Sequence, residues 1–97
     1  ETMLISKENR ELRDAILGFE RRIETMHLDF QKYRLGEAEK MPGWERLERE
    51  ILMLSRRKVF DLELRNHLDR IMHKFQNRKK IWLRWAEEYQ ETPRNEG

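Results

Sequence analysis

The stretch from Arg70 to Arg84 contains the side chains whose types and spacing best suit the binding of a partner. It carries six basic residues and no acidic residue, with Phe75 and Trp82 interleaved among them. Cations that flank apolar side chains at helical spacing are typical of helices that bind acidic proteins, nucleic acids or anionic membranes. The same spacing is also typical of a helix that buries its aromatic face and leaves its basic face in solvent.

We predict a partner-binding or second assembly surface around this stretch. Its predicted members are Asp61, Leu64, Leu68, Ile71, Lys74, Phe75, Arg78, Lys79, Lys80, Trp82, Arg84 and Trp85. A calmodulin-type protein is one alternative partner, because the 1-5-8-14 anchor spacing of its targets is matched by Leu68, Met72, Phe75 and Ile81. A nucleic-acid-binding dimer is another, although the acidic residues that follow at 87–91 interrupt any extended electropositive surface.

Catalytic residues are not indicated. The chain has no cysteine, and its three histidines are His27, His67 and His73. Glu63 lies one helical turn before His67, as two metal ligands could, but no third ligand or nucleophile accompanies the pair. The four glycines form no phosphate-binding loop. We therefore expect a protein that is not an enzyme and binds no metal or cofactor.

The composition favours long helices over a sheet. Charged residues make up 41% of the chain and apolar residues 37%, with a mean hydropathy of −1.05. A helix that buries only one stripe needs little apolar content. The net charge is only +2, no apolar run suits a membrane span, and no segment alternates as a strand would. A start at Glu1 without an initiator Met suggests a piece of a longer protein.

A heptad pattern organises the first part of the chain. Its a and d positions are filled, without a skip, by Ile5, Asn9, Leu12, Ile16, Phe19, Ile23, Met26, Phe30 and Tyr33. Such a seam predicts a coiled coil over residues 1–40, and Asn9 at an a position favours a parallel, in-register homodimer. An antiparallel or intramolecular partner helix is the alternative.

The turn signal at Met41, Pro42 and Gly43 predicts a hinge at 41–43. A second long helix is expected over 44–91, followed by a disordered tail at 92–97. The heptad phase of the first helix continues across the hinge to Leu47, Ile51 and Leu54, which we predict to join the oligomerisation seam. That continuity favours a kinked rod over a helix that folds back.

The second predicted helix could also pair with its own copy in antiparallel orientation. That pairing would place Asp61 against Arg78 and Leu64 against Phe75. Because its symmetry axis differs from that of a parallel first helix, both pairings could hold only in a tetramer.

The sequence therefore predicts an all-α chain of two long helices separated by a Pro-Gly break, assembled as a parallel coiled-coil dimer. A helical hairpin or an antiparallel four-helix bundle is the runner-up. The expected function is oligomerisation and protein docking within a larger scaffold or adaptor of cytoskeletal, centrosomal or trafficking type. The expected partners are a second copy and another protein. The expected location is the cytoplasm, with the nucleus left open.

Overall fold

The computed structural model describes residues 2–91 and the side chains from residue 7 onward. The chain forms three helices, α1 over Thr2–Arg34, α2 over Trp44–Ser55 and α3 over Leu62–Glu91. The described part of the chain is largely helical, and no strand occurs in it. The predicted all-α class is confirmed. The predicted count of two helices is wrong, because the second predicted helix is divided at residues 56–61.

The three helices run up, down and up along a narrow bundle. α1 and α3 are parallel, since Glu20 pairs with His67 and, further along both helices, Tyr33 packs against Tyr89. α2 is antiparallel to α3, because its first residue, Trp44, contacts Lys79 while Glu48 reaches back to Gln76. The bundle measures 66 × 17 × 16 Å.

The heptad seam of α1 supplies its share of a core that lies within one chain. Its buried members are Leu12, Ile16, Phe19, Ile23, Phe30 and Tyr33. α2 contributes Leu47, Ile51 and Leu54, and α3 contributes Leu64, Leu68, Ile71, Phe75, Trp82 and Ala86. The parallel dimer is not confirmed, because α2 and α3 occupy the place that the seam predicts for a second copy. A heptad pattern requires a partner helix and does not specify which chain supplies it.

Gly36 ends α1 and starts the reversal of the chain. Its φ is +80°, a conformation that glycine adopts without steric cost. The amide of Glu37 donates to the carbonyl of Lys32 at 2.8 Å, and the amide of Gly36 donates to the carbonyl of Tyr33 at 3.0 Å. These two bonds form a Schellman motif. The chain therefore folds back and does not form the predicted kinked rod, and α1 ends at Arg34, within the predicted coiled-coil segment of residues 1–40.

Asp61 produces the second break by capping α3. Its Oδ1 accepts a hydrogen bond of 2.9 Å from the amide of Leu64, the interaction of an N-cap residue. The predicted antiparallel pairing of Asp61 with Arg78 is not observed, since the Arg78 guanidinium donates to Glu24 of the same chain. Leu64 and Phe75 lie in the same intramolecular core. The side chain of Ile5 and the predicted tail at 92–97 fall outside the described residues.

The end of the bundle near Gly36 is held by an aromatic cluster. Trp82 is fully buried and stacks on Phe30 with ring centroids 5.1 Å apart. Its indole N–H donates to Nδ1 of His27 at 3.0 Å. The buried donor is thus satisfied, which avoids a desolvation penalty of about 1–3 kcal/mol. Among the described helices none is long and apolar enough to cross a membrane.

Candidate functional site

The basic side chains of α3 between residues 70 and 84 fall into two groups that differ in their partners. The first group forms ion pairs with carboxylates of the other two helices. Lys74 and Arg78 approach Glu24 of α1 at 2.7 and 3.2 Å. Lys79 approaches Glu48 of α2 at 2.9 Å and also lies 4.5 Å from the centre of the Trp44 ring. These three cations therefore join α3 to the other two helices.

The pKa values of the acidic partners, Glu24 and Glu48, are lowered by these ion pairs. The hydrogen bond from Lys74 lowers the pKa of Glu24, and the charge of Arg78 lowers it further. The hydrogen bond from Lys79 lowers the pKa of Glu48 in the same way, against a smaller opposing effect of burial. Lys74, Arg78 and Lys79 were predicted to contact a partner, and the structure places all three in contacts within the chain.

The second group lies on the face of α3 that points away from the bundle. We call it the basic stripe, and its exposed members are Arg70, His73, Lys80 and Arg84. With 100° per residue, they lie within a sector about 80° wide, roughly opposite the buried Leu68. At 1.5 Å per residue the stripe is about 21 Å long. No ion pair links Arg70, Lys80 or Arg84 to any described residue.

The ends of the basic stripe are acidic. Glu63 lies exposed before it, and Glu87 and Glu91 lie exposed after it. The exposed Asn66 and Asn77 occupy the same outward face and add neutral hydrogen-bonding groups. The positive surface is therefore a bounded strip on one helix.

The apolar residues predicted for this surface lie inside the bundle. Five of the predicted members are core residues, namely Leu64, Leu68, Ile71, Phe75 and Trp82. Trp85 is half-buried, with the Arg34 guanidinium 4.6 Å from its ring centre. Of the predicted members, Lys80 and Arg84 remain exposed on the stripe. Arg70 begins the stretch that the sequence singles out, but neither Arg70 nor His73 is among the predicted members, although their spacing from Leu68 places them opposite the core.

A second exposed feature lies where α1 passes the connection between α2 and α3. A groove of about 350 Å³, here called the Phe60 groove, opens there. It is lined by Glu8, Asn9, Leu12, Arg57, Lys58, Val59, Phe60 and Asp61. The Phe60 side chain is 88% exposed, the largest value among the big apolar side chains that are described. Asn9 was predicted to pair with its own copy, and it is half-buried at this groove.

The described residues contain no cluster of three or more His, Cys, Asp or Glu side chains that could hold a metal ion.

A cavity of about 230 Å³, smaller than the Phe60 groove, lies between α1 and α2 beside Met26, Gly43 and Leu47. Met26 is half-buried at its edge. The arrangement as a whole offers charged and apolar surfaces for binding.

Comparison with known proteins gives no relative to guide the interpretation. No protein-family model, curated protein or solved structure matches this chain.

Proposed function

We propose that this chain is a docking module of a larger scaffold or adaptor, that it performs no catalysis, and that the basic stripe binds an acidic protein segment. The observation that carries the proposal is the division among the cations of α3. Lys74, Arg78 and Lys79 are paired with carboxylates of α1 and α2, whereas Arg70, Lys80 and Arg84 are exposed without an ion-pair partner among the described residues. The unpaired cations are aligned, so one extended acidic partner can meet all of them.

The bounded length of the stripe favours a protein partner over nucleic acid. Duplex DNA carries one negative charge per ~1.7 Å of its axis, so its charge continues beyond a strip about 21 Å long. It would then meet Glu63 at one end, and Glu87 and Glu91 at the other. An acidic helix of about 15 residues spans the stripe and can end where these carboxylates begin.

Binding of a calmodulin-type protein to the folded chain is disfavoured by burial. Two of the four predicted anchors, Leu68 and Phe75, have no exposed surface. A calmodulin-type groove binds such anchors directly. Engagement would require α3 to leave the bundle and to break its ion pairs with Glu24 and Glu48.

A charge-reversal experiment tests the stripe. The probe is a synthetic helical peptide of about 20 residues with Glu at every third or fourth position along one face. It is added stepwise to the protein at low salt, and binding is followed by NMR. We expect amide shifts on the outward face of α3. The double variant Arg70→Glu/Arg84→Glu should bind at least about tenfold more weakly, because two exposed ion pairs are replaced by like-charge contacts.

The matched control is Arg21→Glu/Lys40→Glu, which changes the net charge equally at two exposed positions away from the stripe. This variant should retain the affinity of the unmodified chain. Equal losses in both double variants would show a non-specific charge effect and contradict the proposal. Tighter binding of a 20-base-pair DNA duplex than of the peptide, with a steep salt dependence, would favour a nucleic-acid function instead.

A further inference from the structure

We infer that the Phe60 groove is the interface between two copies of this chain, related by a twofold axis and each inserting Phe60 into the groove of the other. This inference uses residues separate from the basic stripe and goes beyond the function proposed above. It also assigns self-association to a surface that shares only Asn9 and Leu12 with the heptad seam, most of whose described members are buried within one chain.

The first observation is the exposure of large apolar side chains around the α2–α3 connection. Phe60 is 88% exposed, Leu62 73% and Met53 69%. These are the highest values among the described large apolar residues, and all three fall within ten residues of the chain. Apolar side chains grouped in this way on a surface mark interaction sites.

The second observation is a groove beside Phe60 that is large enough to hold an aromatic side chain. The Phe60 groove has a volume of about 350 Å³, and Leu12 and Val59 supply apolar lining. Small-ligand pockets begin at about 300 Å³, so the groove can admit an aromatic ring. A twofold interface requires that each copy supply both complementary parts. Here each copy would supply Phe60 as the inserted side chain and the groove that accepts it.

The third observation is that the charges around the groove complement each other. Glu8 and Asp61 are acidic, and Arg57 and Lys58 are basic. None of the four makes an ion pair with a described residue. Across a twofold axis the acidic groups of one copy can face the basic groups of the other. A purely acidic partner would be repelled by half of the rim, and a purely basic partner by the other half.

The course of α1 past the groove supports a second copy as the occupant. α2 ends at Ser55 and α3 begins at Leu62, and Asn9 lines the groove beside the connection between them. The heptad pattern nevertheless continues through Asn9. A second copy seated on the groove would extend the packing of α1 beyond Leu12.

Sedimentation equilibrium of the 97-residue chain, from micromolar to millimolar concentration, tests the inference. We expect a reversible monomer–dimer equilibrium. Phe60→Ser should raise the dimer dissociation constant at least about 100-fold, because each dimer loses two buried aromatic anchors worth about tenfold each. The control Leu35→Ser removes another exposed apolar side chain, 68% accessible at the opposite end of the bundle, and should leave the equilibrium unchanged.

A charge exchange tests the orientation of the two copies. Glu8→Lys and Lys58→Glu should each weaken the dimer, and the double variant should regain most of the lost affinity, since the opposite charges again face each other. A chain that stays monomeric throughout the concentration range would overturn the inference, as would a dimer indifferent to Phe60→Ser. Arg70→Glu/Arg84→Glu should not affect the dimer, so failure of the stripe and failure of this interface can be told apart.

Discussion

The two ends of the bundle place aromatic side chains in opposite environments. Near Gly36, Phe30 and Trp82 are inaccessible to solvent and their ring planes lie 4° from parallel. At the α2–α3 connection, Phe60 is 88% exposed beside a groove. The first end is packed as a protein interior is packed, and the second has the features of an interface. We therefore expect Trp82 to matter for stability, and Phe60 to matter for the self-association inferred above.

The largest expected difference between the two ends is in the loss of stability when one aromatic ring is removed at each. Trp82→Ala should lower the free energy of unfolding by about 3–5 kcal/mol, since it leaves a cavity against Phe30. Phe60→Ser should change it by no more than about 0.5 kcal/mol when the chain is monomeric. Urea unfolding followed by circular dichroism measures both. Similar losses at the two ends would remove the distinction between them.

Two glycines provide a smaller test, with opposite expected signs. Gly36→Ala should destabilise the chain by about 1–2 kcal/mol, because its φ of +80° suits no side chain with a Cβ. Gly18→Ala lies within α1, where an added Cβ meets nothing within 4 Å. It should stabilise the chain by about 0.5–1 kcal/mol through higher helix propensity. Thermal unfolding of the two variants measures both changes in stability. An unchanged stability in Gly36→Ala would contradict the role of this turn in folding the chain back.

The smallest expected effect is a pH dependence that arises from His27 at the aromatic end. Burial lowers the pKa of His27, the charge of Arg78 lowers it further, and Glu24 opposes them. The unfolded chain therefore protonates His27 at a higher pH than the folded chain does. The stability that neutral His27 contributes is present above about pH 6.5 and is lost as the pH falls. Protonation also removes the acceptor for the Trp82 indole.

The variant His27→Asn isolates this contribution, since the amide oxygen can accept a hydrogen bond but does not titrate. Urea unfolding at about pH 7.5 and about pH 5.5 should show a smaller loss of stability in the variant than in the unmodified chain. The chosen range lies above the pH at which Glu24, Glu48 and Glu50 would lose their contributions, because their lowered pKa values place that loss below about 4.5. An identical pH dependence in both proteins would exclude His27 as the cause.

The sequence was sufficient to predict which face of each helix is buried. Spacing alone predicts the seam positions from Leu12 to Tyr33 and from Leu47 to Leu54, and most of them are core residues. The identity of their partner was not predictable from that spacing, because a helix of the same chain and a helix of another copy bury the same stripe. The heptad phase that continues across Pro42 is compatible with a bundle, although it favoured a rod.

The break at residues 56–61 was predictable in principle. The run of Arg56, Arg57 and Lys58 interrupts the apolar column, and Asp61 is a preferred N-cap residue. Its role was obscured because Asp61 falls on the same column as Leu54 and Leu68, which resembles one uninterrupted helix. The basic stripe was only partly predictable, since the pairing of Lys74 with Glu24 depends on which helices meet.

The central claim is that α2 and α3 of the same chain cover the seam of α1. Small-angle X-ray scattering of the Phe60→Ser variant tests it most directly, because it gives mass and longest dimension for a chain that should not self-associate. We predict a particle of 12.1 kDa whose longest dimension is close to 66 Å. A particle of twice that mass and about 130 Å in length, as two helices joined end to end would give at ~1.5 Å per residue, would contradict the claim.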